Sequence, residues 1–433
     1  MDTSIISCDA RTAPSKGSIV APDVVFERPV DLSGLQLEGA LDIHASTFRD
    51  VLLLQRTEER LSWIDGAVDL RLAAFERQLG LDDITFRDSV DGRALTVRDG
   101  ASITEVTFAD DALLSRARFR GPTDFSGATF FGPVSFARAS FAGPASFRQS
   151  TFHERPNFRR AAFYGPLDVA LADLKRGAAL DSAGFDDDTN FRFISSGGRM
   201  SFDRAYVKAS LDLDEAYFRD GLSMAGLTAS GTVRMTNALI DIDDELRFDS
   251  VRVQGLLMDL ETVDRISGRY NRMQALRALE RTATLEGDLS RANGALYALR
   301  ALSSQDYPPF TRAADFLIFR GAAGYLVQPL HPLLLLLLVV GVAASVRLLR
   351  RRELQRRRWR MVFCEHPTVL RCIGESWGQV TASLSIGGSE QTRCAVRGLP
   401  AERWIYRMIV AALVVAIGNS SEAIRELFAA LRG

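Results

Sequence analysis

Lysine is nearly missing from this chain. It occurs only at Lys16, Lys175 and Lys208, so that arginine carries almost all of the positive charge. Net charge is missing too, because 53 basic residues meet 54 acidic ones. That balance excludes a nucleic-acid binder working by bulk positive charge, and no nucleic-acid partner is expected. Four cysteines (Cys8, Cys364, Cys372 and Cys394) are too few and too scattered for a disulfide framework. Cys364, His366, Cys372 and Cys394 also lack the closely paired thiols of a structural zinc site, so they read as ordinary reduced thiols. Residues 1–24 contain no apolar run of the kind a secretory signal needs; a disordered, cytosolic N-terminus is expected. Dinucleotide, phosphate-loop, zinc-protease and nucleophile-elbow motifs are absent in any suitable context, so no catalytic, cofactor or metal residue is assigned and no enzyme is expected.

Phenylalanine is abundant, at 26 residues against four Trp and eight Tyr. Phe has no polar handle, which makes it a core builder more than a recognition residue. Its positions follow a clock. From Phe75, steps of eleven reach Phe86, Val97, Phe108, Phe119, Phe130, Phe141, Phe152, Phe163, Leu174 and Phe185, and the series continues to Val251. A second track six residues behind runs from Leu81 through Phe125, Phe136, Phe147 and Phe158 to Leu257. Of the 34 track positions, 31 are Phe, Leu, Ile, Val or Met, a regularity that sets the register across 75–257. Two residues before the first track lies a small residue such as Ala117, Ala128 or Ala139, and Gly-Pro recurs at 121–122, 132–133, 143–144 and 165–166.

An in-out-in triplet such as Ala-x-Phe has period two and reads as a very short strand. Gly and Pro every few residues force a corner, and a chain that keeps turning the same way becomes a solenoid. Four sides of five and six residues give about 22 residues per coil, stacked at the strand spacing of about 4.8 Å. A helix is excluded, since it does not tolerate Gly-Pro in every unit. The clock also sounds at Phe26, Leu32, Leu37, Ile43 and Phe48, then slips; residues 50–63 read as a short helix interrupting or capping the first coil. The solenoid is expected over 25–257.

These Ala-x-Phe units resemble the pentapeptide-repeat family, with a sixth residue inserted in alternate repeats. The resemblance implies a mainly β fold, a right-handed quadrilateral β-helix. The DNA mimicry known in that family needs an acidic rod, whereas 75–257 holds 27 acids and 22 bases and the stretch 112–160 holds eight Arg against two acids. Acid clusters at Asp186, Asp187 and Asp188 and from Asp241 to Glu245 fall at corners and are read as solvated.

After Leu257 the apolar period changes to three and four, and helices are expected over 268–285 and 288–304, within a cap and linker spanning 258–312. Such a cap would cover the strand edges of the last coil. Between Arg320 and Arg347 lie 26 residues without formal charge, long enough to cross a bilayer core of about 30 Å. A second uncharged stretch runs from Met408 to Ser421. Membrane segments are therefore expected at 313–346 and 404–419 within a membrane-associated region 313–433, making a lipid bilayer one partner. Eight Arg between 347 and 366 would lie in the cytosol by the positive-inside rule, which a single pass from a cytosolic solenoid does not satisfy.

This C-terminal region is similar to that of bacterial pentapeptide-repeat membrane proteins, some of which carry a two-helix ion-channel module. Trp377 to Glu390 takes the place of pore helix and filter, and Ser385-Ile-Gly-Gly-Ser-Glu390 lacks the aromatic of the filter pattern. The resemblance implies a degenerate channel at most. A non-catalytic scaffold at the inner membrane, presenting a cytoplasmic solenoid to a protein partner, is the expected function.

Overall fold

The computed structural model describes residues 6–7, 15–241, 246–306, 308 and 341. The chain divides into two units, 1–295 and 296–433, and the first holds the whole solenoid. It is a mainly β solenoid of about eleven turns followed by a small helical part. One coil shows the plan. Thr96–Val97, Gly100–Ser102, Thr107–Phe108 and Ala112–Leu113 form four successive sides, which we call faces one to four. Arg118–Phe119 then returns to face one and pairs in parallel with Thr96–Val97. The coil is therefore 22 residues, and the pairings between strands of the described residues are parallel.

That register decides the core. A residue on an inner face meets the residue 22 places on, so the Phe tracks become ladders. Phe119, Phe141 and Phe163 stack at centroid distances of 5.0 and 4.8 Å, and Phe108, Phe130 and Phe152 at 4.7 and 4.8 Å. Phe125–Phe147 and Phe136–Phe158 stack at 5.0 Å on faces two and four. Between ladders the rings meet edge to face, as at Phe125–Phe136, 5.3 Å apart. The backbone rise of about 4.8 Å is a good offset-stacking distance for aromatic rings, so strand pairing and ring packing favour the same spacing. Each buried ring contributes about 1.5–3 kcal/mol before the ordering entropy of the chain is offset.

Two kinds of corner alternate. After the first track comes Gly-Pro. A Cβ on Gly143 would lie 2.7 Å from the carbonyl carbon of Gly121, and one on Gly121 only 1.8 Å from the oxygen of Asp99. Glycine is needed there because backbone passes directly over backbone. After the second track comes a left-handed residue, rarely glycine. Arg116, Arg138, Arg160, Leu171 and Phe193 hold φ of 62°, 59°, 58°, 63° and 58°. The turn is closed by the Ala139 N–H donating to the Phe136 carbonyl (2.9 Å), and the Arg138 N–H donates to the Arg159 carbonyl (2.9 Å). Backbone hydrogen bonds on both sides thus hold a conformation that a side chain alone disfavours.

Three expectations are corrected. Residues 50–63 form no helix: Leu52–Leu53 and Ser62–Ile64 are strands, and the pairing of Gln36 with Trp63 shows five extra residues in this coil. The Leu run alternates, with Leu52 and Leu54 buried, and the polar remainder leaves as a loop closed between Thr57 and Arg60. The clock also breaks near its end. Leu222 pairs with Leu246, a spacing of 24, so two residues are inserted after Ile240. Phe248 thereby takes the buried place expected for Leu246, and Met258, paired with Met235, takes that of Leu257. Finally, coiling starts before residue 25. Ser15 bridges Leu37, and Ile19–Val20 pairs with Leu41–Asp42, so the part of 1–24 from Ser15 onward is ordered solenoid.

Three helices follow: α1 (Leu260–Asp264), α2 (Arg269–Glu286) and α3 (Leu289–Ser303). The second buries Ala275, Leu276, Leu279, Thr282 and Ala283. The Leu256 N–H of the last long strand donates to Thr282 Oγ1 (2.9 Å), so α2 satisfies a strand edge and covers it. It stops at Gly287, which is left-handed. Among the described residues no helix is long and apolar enough to cross a membrane. Apart from Gly341, the expected membrane segments 313–346 and 404–419 lie outside the described residues, as do Cys8, Cys364, His366, Cys372, Cys394 and Ser385–Glu390.

Phe141 is fully buried and Phe131 about half exposed. Phe141→Ala should cost about 3–5 kcal/mol and Phe131→Ala under about 1 kcal/mol, read by denaturant unfolding. Gly143→Ala should destabilise like Phe141→Ala, despite adding only a methyl group. Equal effects at Phe141 and Phe131 would contradict the inward assignment of the tracks.

Candidate functional site

Chemistry inside this solenoid has little room. A void lined by Phe147, Phe152, Phe158, Phe163, Leu180 and Phe191 holds about 10 Å³ and has no polar wall to bind a water. Among the described residues Asp214 is the buried ionisable one, and its carboxylate accepts from the Thr236 N–H (2.6 Å) and Arg234 Nε (3.3 Å). Among the described residues, the groups open to a partner are therefore the outward ones.

On face four, Asp42, His44 and Asp69 place their ligand atoms within 4.8 Å of one another, the group among the described residues that could hold an ion. Nothing in the spacing betrays it, because Asp69 reaches Asp42 only through the five-residue insertion. His44 Nδ1 lies 2.6 Å from Asp42 Oδ1, and that hydrogen bond raises the imidazole above its ordinary value. Partial burial pushes the Asp69 carboxyl up, but the Arg71 guanidinium hydrogen-bonded to it prevails and holds it below the usual carboxylate range. Arg71 Nη2 is 2.5 Å from Asp69, and Arg93 repeats the arrangement on Asp91 at 2.6 Å one coil above. An incoming cation would have to displace Arg71, so the cluster is best described as an ion-pair and hydrogen-bond network.

The acid cluster seen in the sequence sits where expected. Asp186, Asp187 and Asp188 occupy the corner between faces one and two, where Asp188 accepts the Ser210 hydroxyl at 2.6 Å. Asp241 accepts from the Tyr217 hydroxyl (3.4 Å), and residues 242–245 lie outside the described residues.

Charge is distributed in bands along the solenoid. Residues 15–111 carry nineteen acids and ten bases, 112–160 two acids and eight bases, and 161–241 twelve acids and eight bases. Outside the middle band, arginines commonly pair with an acid in the adjacent coil. Arg49–Glu27 (2.8 Å), Arg87–Asp65 (2.7 Å), Arg77–Asp99 (3.3 Å) and Arg176–Glu154 (3.1 Å) are examples. Within it, Arg116, Arg118, Arg120, Arg138 and Arg160 are exposed and form no ion pair among the described residues. Arg116, Arg138 and Arg160 occupy the same left-handed corner of three successive coils. The sequence reveals the basic stretch as composition; only the coil places three of its arginines in one column.

Comparison with protein families matches residues 103–151 and 125–169 to the model described as pentapeptide repeats (9 copies). The matched coils are those in which all four ladders are richest in Phe. No curated protein and no solved structure matches the chain.

The titrating groups predict a pH profile. Burial raises the Asp181 carboxyl, but hydrogen bonds from Ser201 and Arg159 hold it, like Asp69, below the ordinary value of 3.8. Depressed carboxylates contribute stability above about pH 4 that is lost as pH falls through their folded values. His44 acts oppositely: its contribution is full below about pH 6.5 and vanishes as pH rises through its raised folded value. Asp181→Asn should therefore flatten the loss of urea resistance below about pH 4, and His44→Ala should weaken the protein slightly at about pH 5.5 and not at about pH 9. A His44→Ala effect larger at the higher pH would contradict the assigned hydrogen bond.

Proposed function

We propose that this chain is a non-catalytic interaction scaffold. Its solenoid presents flat, outward rows of side chains to a protein partner from the cytoplasmic side of the inner membrane. The observation that carries the reading is the tightly packed, apolar Phe core. Such a core leaves the rod stiff and spends no interior volume on a substrate. A match to a repeat family whose solenoids are generally non-enzymatic scaffolds supports it. The membrane tether rests on the sequence alone, through the apolar segments 313–346 and 404–419 and the arginines that follow the first.

Reconstitution of the full chain into liposomes separates this reading from the channel-like one that residues 377–390 suggest. The scaffold reading expects the protein to float with the vesicles while ion flux stays at the level of empty liposomes. Photo-crosslinkers at outward positions of the solenoid should capture one protein reproducibly. Ion flux above background would replace the scaffold with a channel, and failure to float would remove the tether.

A further inference from the structure

The basic band gives the scaffold reading a specific surface. Face one is built from alternate inward and outward residues, and above Arg118 and Arg120 its outward ones are small until Tyr164 and Asp186. Ser140, Ala142 and Ala162 form a short floor, bounded by Tyr164 in the coil of Ala162 and by Asp186 in the coil of Gly184. Arg118 and Arg120 stand exposed at its lower end, and the column of Arg116, Arg138 and Arg160 runs along one edge. Tyr164, 57% exposed, stands in the coil of Ala162, and Tyr206, 44% exposed, stands two coils above it. The backbone ladder holds the column in place, since the Arg116 and Arg138 N–H groups donate to carbonyls of the next coil at 3.0 and 2.9 Å. Like charges in directly adjacent coils repel, and among the described residues none of the three column arginines forms an ion pair; Asp181, in the coil above Arg160, pairs with Arg159 instead.

We propose that this face docks a short acidic segment of a protein partner, whose carboxylates pair with the five guanidiniums. The proposal rests on the scaffold reading above and names the partner's chemistry. Three features select a short protein segment over other polyanions. The column is only two coil rises tall, about 10 Å, comparable to the screening length of about 8 Å at physiological salt. A long nucleic acid or an anionic membrane lying along the rod would also face the acidic bands on both sides. Guanidinium forks hold carboxylates as readily as phosphates, and exposed Tyr with Arg is the composition that marks protein-interface hot spots. The small floor admits an extended chain close to the sheet. Such a chain places same-side residues about 6.6 Å apart, within reach of arginine stems on a ladder of about 4.8 Å.

The test uses the full chain and a fluorescent octaglutamate peptide, read by anisotropy. Binding should weaken steeply with added salt. The combined R116Q, R138Q and R160Q protein should lose at least tenfold in affinity, while R49Q with R87Q, which break ion pairs elsewhere, should stay within about twofold. Should the triple variant fail to melt cooperatively, R118Q with R120Q gives the same readout with a loss of several-fold. The proposal is overturned by no peptide binding, by unchanged affinity in the folded variants, or by tighter binding of a single-stranded oligonucleotide than of the peptide. If the triple variant keeps the partner captured by photo-crosslinking but loses the peptide, the site assignment falls and the scaffold reading stands.

Discussion

Parallel, in-register pairing of each coil on the next is the constraint from which the rest of this molecule follows. Once Phe119 lies on Val97 and Phe141 on Phe119, every inward position is committed to its counterpart 22 residues away. A ring then meets a ring because the backbone brings them together, at a spacing that suits both. The same rule governs the outside. Polar rows, ion pairs between adjacent coils and the arginine column are all consequences of stacking like on like.

The corners explain how so regular a stack is achieved with ordinary residues. At the Gly-Pro corners the demand is steric, and the sequence announces it. At the left-handed corners the demand is conformational, and hydrogen bonds from both neighbouring coils meet it, so Arg, Leu, Glu and even Phe stand where glycine would be expected. For that reason the second corner leaves almost no mark in the sequence. Its residue is free to vary in chemistry, which makes it a position where a column of one charge can be placed without disturbing the core.

What could be read in advance divides along the same line. The Phe ladders, the Gly-Pro corners and the two long helices are written as periodicities and were legible. The five-residue loop before Ser62 was not, because Leu52, Leu53 and Leu54 look helical when their alternation is cut short by polar residues. The two-residue insertion before Leu246 was hidden because Val251 and Leu257 are apolar in either register. The Asp42, His44 and Asp69 network depends on the first of these insertions, so no spacing rule could find it. The basic band was visible as composition, but the sharing of one corner by Arg116, Arg138 and Arg160 needed the 22-residue coil. Surface function is harder to read than the core here because outward positions carry no period of their own.

The most direct test of the stacking rule is a pair of internal deletions. Removing residues 126–147 takes out one whole coil and joins Phe125 to Arg148 in phase. Removing 126–146 takes out one residue fewer and turns every later side chain to the opposite face. The account predicts that the first protein keeps the far-UV circular dichroism per residue of the parent and a cooperative melt, and that the second loses both. Equal behaviour of the two deletions would contradict it.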